Sequence, residues 1–156
     1  MKRIGPKNDS ASSELTAEKI IEAFKRPVPE EKSNHLYMYA VVRRDLEMPP
    51  GKLSAQAGHA YTDALMVALE QSPDVVNNYR DLDKGGSKVT LKSKNTNQLL
   101  TAYKKLIALN IPCALIVDQH HILPPHFDGS PVITALGIGP CTKEQCREVT
   151  KKFNCV

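Results

Sequence analysis

The amino-acid sequence predicts a single compact α/β domain in which helices flank a mixed sheet of four strands. Downstream of His35, apolar strand-like runs alternate with segments of helical period, in the order strand, helix, strand, helix, strand. That order is typical of right-handed crossovers onto one sheet. A fourth strand follows the third without a helix between them, so the sheet is expected to be mixed. The 156 residues, 41% hydrophobic and 24% charged, suffice for one domain with an ordinary core plus a tail.

Residues 1–35 are expected to form a polar extension outside this domain, which would occupy residues 36–156. Four apolar residues at helical spacing predict one short helix, which Thr16 would cap and Pro27 would stop. These four are Leu15, Ile20, Ile21 and Phe24. The proline-containing polar run over 27–34 then predicts a linker.

Periodicity and capping residues predict the elements of the domain. The strands are predicted at about 36–43, 87–92, 113–117 and 131–138. The helices are predicted at about 52–71, 96–109 and 142–153. Asn95 or Thr96 would cap the second of these helices, and the Thr142–Gln145 capping box would start the third. Because the strand at 113–117 is purely apolar, we expect it to be buried on both faces.

The helix that follows the first strand carries a polar face. The polar residues of this face lie within about 60° of one another on a helical projection and are Lys52, Gln56, His59 and Asp63. A lysine in the first helical turn opposes the helix dipole, which favours acids there by up to about 1 kcal/mol. The fold gains nothing from Lys52 at this position, whereas free N–H groups beside a lysine form a ready anion site.

Composition excludes several classes of protein. There is no Trp and only 5% aromatic residues, so aromatic platforms for stacking exposed bases are scarce. No apolar run approaches the length of a membrane span, and the N-terminus has no secretory h-region. The four cysteines show neither the density of a disulfide scaffold nor zinc-site spacing. We therefore expect reduced thiols in the cytoplasm and no cofactor.

The net charge of +4 is modest, but lysines are concentrated in one stretch that contains no acid. These lysines are Lys84, Lys88, Lys92, Lys94, Lys104 and Lys105. One interpretation is a protected edge strand plus a solvated helix face. The other is a surface that binds the phosphates of a nucleic acid.

A dense motif after the first strand resembles the signature of the type II peptidyl-tRNA hydrolases. It reads Val41-Val42-Arg43-Arg44-Asp45-Leu46-Glu47-Met48, then Gly51-Lys52, Ala55-Gln56 and His59-Ala60. The resemblance continues through 88–92, 111–118 and 136–140 and covers about residues 36–153. It implies a compact α/β fold around a mixed four-stranded sheet, a peptidyl-tRNA substrate and a homodimer, and it favours the phosphate-binding interpretation of the lysines.

The resemblance also implies the active-site residues, which by direct correspondence are Lys52, Gln56 and Asp118. Asp118 can orient or deprotonate a water molecule that attacks the ester. Lys52 can bind a phosphate or stabilise the oxyanion, and Gln56 can donate a hydrogen bond to the carbonyl. His59, two turns beyond Lys52, is expected to be structural more often than catalytic. Arg43 and Asp45 also match the family's pattern, and we expect them to have structural roles. Asp45 would cap the turn or pair with Arg43 or Lys52.

The segment after Asp118 departs from the family's pattern. It is longer than usual, it lacks the usual Ala-Gly pair, and the family's proposed catalytic threonine has no clear counterpart in it. Ser130 is the nearest hydroxyl. The loop also contains His120, His121 and His126, of which one can replace that hydroxyl as donor or base. The alternative is a divergent surface loop without a role in the reaction. Metal binding is not expected, because no cysteine or carboxylate completes a standard zinc spacing.

Three functions in different classes remain open from the sequence. The first, favoured by Lys52, Gln56 and Asp118, is hydrolysis of the peptidyl-tRNA ester by a positioned water. The second is a catalytically weakened relative that still binds RNA, and the third is a protein-interaction module that uses the N-terminal segment. The divergent loop favours these two alternatives.

Overall fold

The sheet is assembled from strands that are widely separated in the chain. The computed structural model describes residues 15–25, 34–81 and 86–156. Its strands are β1 (Leu36–Arg43), β2 (Gly86–Ser93), β3 (Cys113–Asp118), β4 (Ile122–Leu123), β5 (Phe127–Asp128), β6 (Val132–Thr142) and β7 (Asn154–Cys155). Its helices are α1 (Ala17–Phe24), α2 (Pro50–Gln71), α3 (Pro73–Arg80), α4 (Thr96–Ala108) and α5 (Lys143–Thr150).

The main sheet has the strand order β3-β6-β1-β2-β7, and β4 and β5 form a separate hairpin. β1 and β2 are parallel, whereas β6 runs antiparallel to both β1 and β3. The prediction of a mixed sheet is therefore confirmed, and the four long strands are those that the sequence predicts. β7 adds a fifth strand of two residues beside β2. The carboxyl ends of β1, β2 and β3 all lie along one edge of the sheet, which is distinct from the lateral edges formed by β3 and β7.

Helices cover both faces of the sheet, and the alternation of side chains along β1 assigns each face. Ala40 and Val42 pack in one cluster with α2. Tyr39 and Val41 pack in the other cluster, with α4 and α5. We call these the α2 face and the α4 face.

Gly137 of β6 allows α2 to lie very close to the sheet. A Cβ at this position would overlap the backbone carbonyl of Ala60. Ala60 and Ala64 are fully buried at this contact. The small residues of α2 and the glycine of β6 thus fix the depth of the helix, and with it the side chains in its first two turns.

The prediction that the strand at 113–117 is buried on both faces is wrong. β3 is an edge strand of the sheet, and Val117 on it is 53% exposed. An apolar run does not show whether a strand lies in the middle of a sheet or at its edge. Here β3 pairs only with β6, so its side chains are less covered than those of a central strand.

Other element boundaries differ by a few residues. α2 begins at Pro50 rather than at Lys52, with a proline in its first turn, where no N–H is needed. α4 is capped by Asn95, whose side chain accepts from the Gln98 N–H at 3.1 Å. The capping box of α5 is present, although that helix ends at Thr150. The sequence did not predict α3, the β4–β5 hairpin or β7.

α1 lies within the predicted N-terminal extension. Thr16 caps it by accepting from the Lys19 N–H at 3.3 Å. None of its residues is buried, and Phe24 is 38% exposed. Pro27 and most of the predicted linker lie outside the described residues. None of the helices in the described ranges is both long and apolar enough to cross a membrane.

Candidate active site

A lysine–aspartate pair lies at the edge of the sheet where β1 and β3 end. Lys52 Nζ donates to Asp118 Oδ2 at 2.7 Å, and the two side chains are only 11% and 19% exposed. Lys52 is in the first turn of α2, and Asp118 is the last residue of β3. In α/β sheets, ligands bind beyond the carboxyl ends of parallel strands. The aspartate also offsets the unfavourable position of a lysine at a helix N-terminus.

The ring of Phe127 packs against the Lys52 side of this pair. Lys52 Nζ lies 4.3 Å from the centroid of the Phe127 ring, which is within cation–π range. Phe127 is 3% exposed and packs with Met48 and Leu123 in the α2-face cluster. Since Phe127 belongs to the β4–β5 hairpin, the divergent loop after Asp118 builds part of the site.

A second buried polar contact lies one turn further along α2. Thr134 Oγ1 donates to Gln56 Oε1 at 2.5 Å, and the two residues are 0% and 5% exposed. A β-bulge aims this threonine. Ile116 pairs with Ala135 and Val117 with Ile133, so Thr134 is the extra residue on β6. Bulges commonly re-aim a side chain beside an active site.

In this structure the hydrogen bond engages the carbonyl end of the amide. A hydroxyl can donate to an amide oxygen or accept from an amide nitrogen, and here Thr134 Oγ1 donates to Gln56 Oε1. With Oε1 bonded to Thr134, Nε2 is the end of the side chain that can bind an oxygen of a ligand. The site therefore combines a cation, a carboxylate and an amide donor.

Arg43 and Asp45 form a structural brace beside this site. Arg43 Nε and Nη2 donate to the Asp45 carboxylate at 3.0 and 2.6 Å, and Arg43 Nη1 donates to the Ile133 carbonyl at 3.0 Å. Hydrogen bonding by Arg43 holds the pKa of Asp45 below its ordinary value. Of the partners that the sequence left open for Asp45, the structure contains Arg43. The brace ties the end of β1 to the bulged part of β6.

The other candidates from the sequence lie away from the pair. His59 is exposed on α2. His120 is exposed with a left-handed φ of 64°, and its backbone N–H donates to the Gly129 carbonyl. Ser130 Oγ donates to Asp128 Oδ1 at 2.5 Å on the surface, which lowers the pKa of Asp128.

The remaining loop histidines contact residues other than Lys52 and Asp118. His126 Nε2 lies 3.5 Å from Glu47 Oε2. His121 packs edge-on against Phe127 with 6.1 Å between ring centroids. Within the described ranges, no three His, Cys, Asp or Glu residues are placed to bind a metal ion.

The lysines of the basic stretch are divided between the two faces of the sheet. Lys88 Nζ donates to the Tyr79 hydroxyl at 2.9 Å on the α2 face, and by strand alternation Lys92 shares that face. Lys104 is exposed on α4, and Lys105 lies 3.6 Å from Glu148. Lys94 is exposed before α4, and Lys84 lies outside the described residues.

The sequence analysis missed two residues of the site, Thr134 and Phe127. Thr134 did leave a signal, because it is the only polar residue in the apolar run from Val132 to Gly139. A buried polar group inside a strand requires a partner. Phe127 left none, since a single aromatic residue in a loop does not indicate what it packs against.

Comparison with known proteins identifies the family. A model of the family described as peptidyl-tRNA hydrolase PTH2 matches residues 36–156. A peptidyl-tRNA hydrolase of Methanocaldococcus jannaschii is 34% identical over 114 residues, which cover 72% of this chain and 93% of that protein. One from Methanococcus maripaludis is 38% identical over 113 residues, covering 71% and 90%. One from Sulfurisphaera tokodaii is 33% identical over 117 residues, covering 72% and 92%.

Proposed function

Because the chain belongs to the peptidyl-tRNA hydrolase PTH2 family, we propose that it hydrolyses the ester bond between a peptide and tRNA, releasing the peptide and free tRNA. The observation that carries this proposal is the 2.7 Å contact between Lys52 and Asp118 at the edge of the sheet where β1 and β3 end. The partly buried pair, with a buried amide donor one turn away, provides the three groups that an ester hydrolysis by water needs.

We propose the following roles. Asp118 orients a water molecule and accepts its proton as the water oxygen attacks the ester carbonyl. Lys52 and Gln56 Nε2 stabilise the negative charge that develops on the carbonyl oxygen. The bond to the ribose oxygen then breaks, and the proton is passed to that oxygen to give a free ribose hydroxyl. The peptide leaves as a carboxylic acid, which releases its remaining proton to solvent at neutral pH and becomes a carboxylate.

Attack by water, rather than by an enzyme nucleophile, is supported by the state of the thiols and hydroxyls near the sheet. Burial raises the pKa of the Cys113 thiol to about 11, so little thiolate is present at neutral pH. Cys141 and Cys146 are buried in the α4-face cluster, on the opposite side of the sheet from Lys52 and Phe127. Ser130 is bonded to Asp128 on the surface.

A turnover assay tests the function and the site together. Purified protein is incubated with a peptidyl-tRNA analogue beside Lys52→Ala and Asp118→Asn variants, and release of free tRNA is measured. We expect each variant to lose about 100-fold or more in kcat/KM. Lys151→Ala and Asp63→Asn, at exposed positions of α5's C-cap and of α2, are matched controls that retain activity. Folded wild-type protein that binds tRNA without releasing peptide would contradict the proposal and favour an RNA-binding relative.

We also propose that the protein acts in the cytoplasm as a homodimer and that residues 1–35 are an appendage to the hydrolase domain. The resemblance supports the dimer, and a substrate made by translation supports the location. Light scattering on the full chain would give about twice the chain mass of 17.2 kDa. A single-chain mass over a wide concentration range would contradict the dimer.

A further inference from the structure

The outer edge of β3 is not paired with any described strand. β3 is the first strand in the sheet order and bonds only to β6. Alternate backbone N–H and C=O groups of an edge strand point away from the sheet and can pair with another extended chain. This edge ends at Asp118, one of the two residues of the lysine–aspartate pair.

Three of the features with which natural sheets prevent pairing, namely lysine, proline and a bulge in the edge strand itself, are absent from residues 113–117. Residues 113–117 are all apolar, with neither lysine nor proline among them. The bulge in this part of the sheet is in β6, at Thr134, so the extra residue does not interrupt β3. β2, towards the other side of the sheet, differs: it carries Lys88 and Lys92 and is partly covered by β7.

We propose that the peptide part of the substrate binds as an added strand on the outer edge of β3, a proposal that rests on the proposed function above. The direction follows from the chemistry. The carboxyl end of the peptide carries the ester and must reach Lys52 and Asp118, at the carboxyl end of β3. The peptide therefore runs parallel to β3, with its N-terminal side towards Cys113. A strand of six residues is about 20 Å long and can pair with about five residues of peptide.

This mode of binding suits a substrate with a variable sequence. Backbone hydrogen bonds are the same for every residue except proline, so strand addition gives affinity without selecting side chains. The exposed Val117 side chain gives the edge an apolar surface that tolerates many side chains. A second copy of the chain could occupy the same edge instead, and the tests distinguish that case.

The first test is a scan of backbone N-methylation in the substrate. A series of N-acetyl-penta-alanyl-tRNAs carries one N-methyl group, moved along the peptide one residue at a time, and kcat/KM is measured after correction for spontaneous ester hydrolysis. Because alternate N–H groups of an added strand point at β3, we expect kcat/KM to fall about fivefold at every second position and to change little between them. Replacing alanine by serine or valine at the same positions should have little effect.

The outcomes of the scan separate the two proposals. Turnover that is insensitive to N-methylation, or that falls equally at all positions, overturns strand addition and leaves the hydrolase function standing. Absence of turnover with every substrate in the series overturns both.

The second test detects the contact without turnover. Backbone hydrogen exchange of the full chain is followed by NMR with and without a peptidyl-tRNA analogue whose ester is replaced by an amide. We expect slower exchange at alternate N–H groups of residues 113–118 on binding. Protection confined to residues around Lys52 and Gln56 overturns the proposal. So does protection of the β3 edge that exists without ligand and grows with protein concentration, because a second copy of the chain then occupies it.

Discussion

At the scale of single residues, the contact between Gln56 and Thr134 limits what the candidate site can do. Both residues are buried, so each polar atom that loses its partner is left without water to replace it. The hydroxyl holds the amide in one of its two flipped orientations and thereby presents Nε2. Thr134 acts through Gln56 and is a positioning residue.

We predict that Thr134→Val lowers both stability and activity. Thr134→Ser, which keeps the hydroxyl, should retain more of both than Thr134→Val does. Valine has a similar shape but leaves Gln56 Oε1 unpaired, which costs about 1–3 kcal/mol in the free energy of unfolding. Release of the amide from its orientation should also reduce kcat/KM by up to about 100-fold. Urea denaturation and the turnover assay measure the two effects.

Thr90→Val is the matched control for this prediction. Thr90 Oγ1 lies 2.8 Å from the Tyr61 hydroxyl, half-buried on the same face of the sheet but outside the site. The Thr90→Val variant should be less stable than the wild type but have the same kcat/KM. Equal activity losses in Thr90→Val and Thr134→Val would show that the effect is general destabilisation rather than positioning.

We predict that Asp45→Asn weakens the fold at neutral pH but not in acid. The hydrogen bonds from Arg43 lower the pKa of Asp45 below its ordinary 3.8 in the folded protein. The stabilisation is therefore present above pH 3.8 and is lost as the pH falls through the folded-state pKa. Since the Asp45 side chain is 38% exposed, the difference at pH 7 should be about 0.2–1 kcal/mol. Chemical denaturation of both proteins from pH 7 to 2 measures it, and a gap that persists at pH 2 would contradict an electrostatic origin.

At the scale of elements, the position of α2 on β6 determines whether Lys52 and Gln56 reach their partners. We predict that Gly137→Ala destabilises the protein by about 1–3 kcal/mol, because its Cβ must displace the Ala60 carbonyl. Activity should fall too, since moving α2 outward separates Gln56 from Thr134.

Gly58→Ala is the control for this prediction, because a Cβ at Gly58 meets nothing within 4 Å. It should stabilise the helix by about 0.5–1 kcal/mol. Thermal unfolding of both variants compares them, and a neutral Gly137→Ala would contradict the close packing.

The sequence predicts the long elements well because each carries a local signal of its own. α4 has its cap at Asn95, and β1 is a continuous apolar run from Leu36 to Val42, most of which is buried. Prediction from the sequence fails where pairing with a distant segment decides the structure. β7 contributes only two residues and exists because β2 offers it an edge.

The same limit applies to the candidate site. That Lys52 and Asp118 lie at one edge of the sheet could be predicted, since both residues follow strands that end there, but the ion pair between them was not predicted. The Thr134 bulge could not, because a bulge is a mismatch between two strands and cannot be detected in either strand alone. The exposed edge of β3 could not be predicted from its apolar composition for the same reason.

At the scale of the whole molecule, the basic residues are divided between the two faces of the sheet, and the candidate site lies on one of these faces. Lys52 and Asp118 lie on the α2 face, where Lys92 also points, whereas Lys104 lies on the helix that covers the opposite face. We expect a tRNA whose acceptor end reaches Lys52 to approach on the α2 face, from the edge of the sheet where β1 and β3 end. Net charge alone, at +4, does not distinguish the two faces.

We predict that Lys92→Gln weakens tRNA binding and that Lys104→Gln does not. The logarithm of the tRNA association constant falls as the logarithm of the salt concentration rises. Each phosphate contact that is lost should make this negative slope shallower by about 0.9. The two substitutions remove the same charge, so a general loss of positive charge would affect both equally. Binding of tRNA to the two variants and to the wild type, measured between low and physiological salt, tests the difference. A smaller slope for Lys104→Gln with an unchanged slope for Lys92→Gln would mean that tRNA approaches along α4, which would place the body of the tRNA on the face of the sheet opposite to α2.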